Sequence, residues 1–315
     1  MGTAFCTLCA GVLLLFSSVS RATEPSVEEK TCLLSTQKSR QAKALAFYAQ
    51  GLYYLRENPT PADFVLGVGS FRSAAALDPS ALDSHTALIN ALLSAGDIAG
   101  AIKELQVVAR MCTDRPYVGF SFSLFRLELL VATSDWDAAV AEWEKLQIEK
   151  TLIPQDFDLP EAYYLLGGVV LDQRGQGTEP LDLLAAGLLA YPDSHNMMNS
   201  MAYTLAVEGR ELPRALDLID RALVRAPEQY AYLDTLGWVL YKMGDYEGSF
   251  RSLSNALAYA PEDHHELYDH MGDVLFKMGR EAEAPVWWAK SYSLYPDPAV
   301  AEKLRVTGID PAALP

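Results

Sequence analysis

The chain has 315 residues, half of them apolar, and carries a net charge of −16 from 25 Lys and Arg against 41 Asp and Glu. That balance excludes a protein built to grip phosphate backbones or anionic membrane surfaces, so no nucleic-acid partner is expected. It suits a neutral or basic partner, or simply keeps a surface-rich molecule soluble.

Residues 4–16, AFCTLCAGVLLLF, form an uncharged apolar run. The run is short for a bilayer span but fits the core of an export signal. Ser20-Arg21-Ala22 follows, with small residues at −3 and −1 of a cut after Ala22. No Lys or Arg precedes the run, which leaves an uncleaved anchor as the alternative. Cys6 and Cys9 fall inside this segment; Cys32 and Cys112 remain. An oxidising compartment would permit a bridge between them, although they lie far apart for a molecule made of local contacts. Residues 23–42 are polar and read as a linker or a frayed helix.

Downstream, the chain divides into seven helix-pair units over residues 44–296. The first holds Gly51 and Tyr54, then an insertion around Pro59 and Pro61, then Gly67, Phe71, Ala74 and Pro79. In the second, Leu88 precedes the turn Gly96-Asp97, and Ala101 and Leu105 follow. The third replaces the Gly-Asp turn with Ser134-Asp135, continues through Ala139 and Trp143, and leaves by an irregular stretch. The fourth contains Tyr163, Leu166, Gly167, Val170, Leu184 and Pro192, with a turn insertion at 175–178. The fifth contains Met198, Met201, Ala202, Leu205, Gly209, Ala215, Ile219, Ala222 and Pro227.

The sixth unit, residues 230–261, is the most regular. Leu233, Leu236, Gly237 and Leu240 recur at helical spacing, and Gly244-Asp245 breaks the helix. Ser249, Leu253 and Ala256 recur before Pro261 stops the second helix. The seventh repeats the phrase with Tyr268, Met271, Gly272, Leu275, Gly279, Ala284, Trp288 and Pro296. Residues 297–308 read as a last helix that covers the stack. The closing prolines at 192, 227, 261 and 296 fall 35, 34 and 35 residues apart, a period that means stacked helical repeats.

This pattern of small residues between large ones, a Gly-Asp turn and a closing proline resembles the tetratricopeptide (TPR) repeat. The resemblance implies an all-α, right-handed superhelical array of about seven antiparallel helix pairs with a C-terminal capping helix. The expected divisions are a signal peptide at 1–22, a linker at 23–42, divergent repeats at 43–158, regular repeats at 159–296, and the cap and tail at 297–315.

The resemblance also implies that the first helix of each pair lines a concave groove through positions 2, 5, 9, 12 and 13. These are Ala231, Asp234, Trp238, Tyr241 and Lys242 in the sixth unit, and Glu266, Asp269, Asp273, Phe276 and Lys277 in the seventh. Asn196, Asn199 and Tyr203 belong to the fifth, with Tyr164, Glu128, Asn90 and Thr86 upstream. The candidate partner-binding set is Tyr164, Asn199, Tyr203, Asp234, Trp238, Tyr241, Asp269, Asp273 and Phe276. Aromatic faces there would stack on apolar side chains of an extended peptide, and amides would bond its backbone. The competing reading is that these residues only pack repeat against repeat. One TPR subclass clamps a C-terminal carboxylate with Lys, Asn and Arg; the carboxylates here would repel one.

No nucleophile elbow, zincin helix or phosphate loop occurs in the chain. The cluster DHHELYDH at 263–270 reads as the start of a helix, and no metal, cofactor, catalytic residue or small-molecule substrate is expected. The resulting expectation is an exported, non-catalytic scaffold for a protein or peptide, periplasmic or at a bacterial outer membrane, in envelope assembly or secretion. Membrane contact would require an uncleaved signal. An oligomerisation module that stacks through its terminal repeats, and an enzyme with an unrecognised site, are the alternatives.

Overall fold

The computed structural model describes residues 31–56, 59–112, 114–173 and 179–314. The export segment, Cys6, Cys9 and the turn insertion at 175–178 lie outside them. The described residues form fifteen α-helices and no strand, joined by short turns. The helices divide into two compact units, one ending at Asp158 and the other starting at Leu159.

The first unit contains α1 (Thr31–Tyr54), α2 (Pro61–Leu77), α3 (Leu82–Ser94), α4 (Ile98–Met111), α5 (Pro116–Ala132) and α6 (Trp136–Lys150). Each odd helix packs on the next as an antiparallel pair, and α2 and α4 pack on the pair that follows. α2 starts on a reciprocal cap, in which Thr60 and Asp63 satisfy each other's backbone N–H groups and Pro61 fixes the first turn. Phe71, Leu88, Leu92, Leu105, Phe122 and Leu129 form its buried core. Cys112 is buried there and free. Glu142 of α6 is buried as well, against Arg126 and Lys145, and Lys145 Nζ donates to Ser123 at 2.8 Å. A buried carboxylate needs such partners to remain ionised.

The second unit contains α7 (Glu161–Gln173), α8 (Glu179–Ala190), α9 (His195–Glu208), α10 (Leu212–Arg225), α11 (Tyr230–Met243), α12 (Tyr246–Tyr259), α13 (His265–Lys277), α14 (Ala284–Leu294) and α15 (Pro298–Val306). The Gly-Asp turn explains the break between helices. Gly244 adopts a left-handed φ of 85°, and Asp245 accepts from Gly248 N to start α12. Small residues explain the close pairing: a Cβ on Gly272 would lie 2.4 Å from the Trp288 ring, and one on Gly237 would lie 2.7 Å from Leu253. Ser249, in the expected small position, is buried and donates to the Gly237 carbonyl at 2.7 Å. Met201, Leu205, Ile219, Tyr232 and Val239 make one core cluster; Leu253, Met271, Leu275, Trp288 and Leu304 make the next.

α15 is the expected cap. Asp297 accepts from Ala299 N at 2.6 Å at its start. Val300, Ala301 and Leu304 are buried on the inner face, while Glu302 and Arg305 are exposed on the outer one. That polarity ends a stack that would otherwise leave an apolar face in water.

Candidate functional site

In the second unit the first helices α7, α9, α11 and α13 contact one another in series, leaving α8, α10, α12 and α14 as the second layer. Side chains from all four first helices converge on a cavity of about 250 Å³. Asp172 comes from α7, Asn199 and Tyr203 from α9, Asp234 from α11 and Glu266 from α13.

Of the nine residues expected to bind a partner, the structure gathers Asn199, Tyr203 and Asp234 in this cavity. Asn199 Oδ1 is buried without a hydrogen-bond partner among the described residues. The Tyr203 phenol is pushed well above its ordinary pKa, first by burial and then by the carboxylates of Glu266, Asp234, Asp172 and Asp269. Asp234 Oδ1 lies 2.8 Å from His270 Nδ1 on α13.

The other six residues are engaged by the chain itself. Trp238 stacks on His270, with centroids 4.2 Å apart and planes at 17°, and on Tyr241 at 4.8 Å and 5°. Lys242 Nζ sits 4.9 Å from the Trp238 ring. The Tyr241 hydroxyl is raised to about 12, mainly by burial and next by Asp273. Asp269 and Asp273 each lie 2.7 Å from Lys303 Nζ, which reaches back from the cap. Asp273 also accepts from Trp288 Nε1 at 3.0 Å. Burial and the neighbouring Asp273 charge raise Asp269, against the opposing pull of Lys303. Phe276 tilts against Trp288 at 5.6 Å and stays partly exposed. Tyr164 meets Tyr163 and Tyr191 edge-on and lies beside Gly187 of α8.

Sequence reasoning missed three contributors. Asp172 stands at position 13 of the fourth repeat, a place the repeat register itself marks as groove-facing. His270 and Lys303 carried no such signal, because each acts on a repeat other than its own. In the DHHELYDH cluster, His265 tilts against Tyr295, His264 stacks on Tyr230 and His270 turns to Asp234. Among the described residues no group of three or more His, Cys, Asp or Glu is placed to hold a metal ion. No described helix is long and apolar enough to cross a membrane.

The first unit has its own concavity of about 530 Å³, lined by Tyr48, Leu55, Phe71, Phe122 and Phe125, with Thr86 and Asn90 from α3. Asn90 Oδ1 is buried there without a partner among the described residues, while Thr86 donates to the Leu82 carbonyl of its own helix. Burial raises the Glu128 carboxyl on α5 above its usual range.

The helix pairs, their left-handed Gly turns and the capping helix make the tetratricopeptide-repeat fold. No protein-family model matches the chain. It is 27% identical over 182 residues to a TPR repeat-containing protein of Pseudomonas aeruginosa, a match covering 58% of this chain and 29% of that one. The match thus spans under a third of that relative's length. In structure it is similar to a tetratricopeptide repeat protein from Parabacteroides merdae, with TM-score 0.58 and 14% identity, over 87% of this chain and 99% of the other. It is also similar to a chain of the APC/C hetero-tetramer Cut9–Hcn1, with TM-score 0.58 and 14% identity, over 88% and 55%.

Proposed function

We propose that the protein is a non-catalytic scaffold that holds an extended segment of a neutral or basic protein or peptide along its first-helix face. One observation carries this reading. Four successive repeats contribute side chains to a single cavity that offers acceptors and an aromatic ring, Asn199, Asp234 and Tyr203. A backbone lying across the first helices would meet a new set of side chains at each repeat, which is how a stacked array recognises extended chains. The apolar run at 4–16 supports export and a place at the bacterial envelope, in assembly or secretion.

The test is selection of random-sequence peptides on the full chain, followed by affinity measurements on the recovered binders. Asn199→Ala and Tyr203→Leu should each weaken binding by about tenfold with helicity intact. Recovery of no peptide, or binding indifferent to both substitutions, defeats the scaffold reading. N-terminal sequencing of the protein from the envelope fraction tests export; an intact 1–22 there would defeat cleavage.

A second reading has its own observation. Leu45, Leu52, Tyr53, Val65 and Leu66 of α1 and α2 are exposed, Val65 at 72%. An apolar end that the described residues leave exposed suits stacking on another copy. Light scattering that shows no growth in size with concentration would remove this reading.

A further inference from the structure

We propose that the cavity beside α9 seats the cationic end of a partner's lysine or arginine side chain, held between Asp172 and Glu266 by the Asn199 carbonyl and the Tyr203 ring. The proposal rests on the scaffold reading above and names the anchor it would use.

The carboxylates of this face fall into two groups. Asp234 has His270 as its partner, and Asp269 with Asp273 has Lys303. At these three positions the basic partner is supplied by the protein itself. Asp172 and Glu266 differ: among the described residues neither has a lysine or arginine at ion-pair distance, although Glu266 acts on His270 through space and burial with Glu208 raises Asp172. They come from helices before and after α9 in the stack and line the same cavity as Asn199 and Tyr203.

Three further observations point to a cation. Asn199 lines the cavity, and its buried Oδ1 finds no donor among the described residues, which leaves it able to accept from an N–H group. Four carboxylates lie near enough to the Tyr203 phenol to add to burial in disfavouring its ionisation; their share of the effect would attract a cation, whereas burial penalises either sign. The fold also contains its own example. Lys303 Nζ sits 2.7 Å from both Asp269 and Asp273, with the Trp288 ring 5.9 Å away. Asp269 and Asp273 hold positions 5 and 9 of the last repeat, the places that Asn199 and Tyr203 hold two repeats earlier. The same face thus holds an internal ammonium at its end, between two carboxylates. An aromatic ring among carboxylates is a favourable seat for either lysine or arginine, with the planar guanidinium able to stack as well.

The test takes peptides selected on the full chain and exchanges each basic residue for a neutral isostere, citrulline for arginine or acetyl-lysine for lysine. One such exchange should weaken binding about tenfold or more. The combined variant Asp172→Asn, Glu266→Gln should weaken the parent peptide to a similar degree. It should then be indifferent to the same exchange, because the coupling has been removed. Both substitutions keep side-chain shape, and circular dichroism confirms that the variant is folded. Binders that lack an essential basic residue overturn the cation seat and leave the scaffold reading standing. Binders whose basic residue matters equally in the variant place the cation elsewhere, and also overturn it. Recovery of no binder overturns both.

Discussion

Ser134 adopts a left-handed conformation, φ 56°, in a turn whose counterparts carry Gly96, Gly244 and Gly279. The geometry is imposed by the hydrogen bonds around it. Asp135 N donates to the Leu130 carbonyl, and Asp135 caps α6 through Ala138 N. A side chain in that region crowds its own backbone by about 1–2 kcal/mol, part of which glycine returns as unfolded-state entropy. Ser134→Gly should therefore stabilise the protein by about 0.5–1 kcal/mol, seen as a higher thermal midpoint. A midpoint that stays level or falls would mean that the serine is not strained. At this scale the Asp of the turn was fully legible. Its role as an N-cap follows from its place directly before the second helix.

Helices α11 and α13 meet through a polar joint, with His270 beneath Trp238 and bonded to Asp234. Burial, the largest single influence, opposes its protonation. Asp234, Glu266 and Asp269 outweigh that influence, so the His270 pKa lies above its ordinary value. A folded pKa above the unfolded one means that the stabilisation is complete below about pH 6.5 and is lost as pH rises through the folded pKa. His85, raised by its bond to Glu104, acts in the same window from the first unit. Urea unfolding followed from about pH 6 to 9 should show stability falling as pH rises. His270→Gln should flatten part of that slope and leave the share due to His85. An unchanged slope in the variant would show that the joint does not carry the proton.

For the whole molecule, the cap does more than cover an apolar end. Lys303 bridges two carboxylates of the last repeat, while Val300 and Leu304 complete its core. Lys303→Met keeps most of the packing but leaves Asp269 and Asp273 as adjacent, largely buried charges. The cost should be about 2–3 kcal/mol near neutral pH, measured by denaturant unfolding. It should shrink in acid, because protonating either carboxylate relieves the repulsion. Equal stability of the two proteins at neutral pH would show that the lysine is a surface ornament.

Taken alone, the sequence determined the repeat and its register. Closing prolines, Gly-Asp turns and small residues such as Gly237 and Gly272 describe contacts made within one helix pair, and local contacts leave a periodic trace. The same register placed Asn199, Tyr203 and Asp234 on the inner face, where they line one cavity. Only the tertiary structure decided which charges on that face are free. His270 reaches Asp234 from the next repeat, and Lys303 reaches Asp269 and Asp273 from the cap. Charge pairing depends on distances between helices, to which position within a repeat is blind. The register could therefore list the acids of the groove, but only the packing of one repeat on the next leaves Asp172 and Glu266 without a lysine or arginine among the described residues.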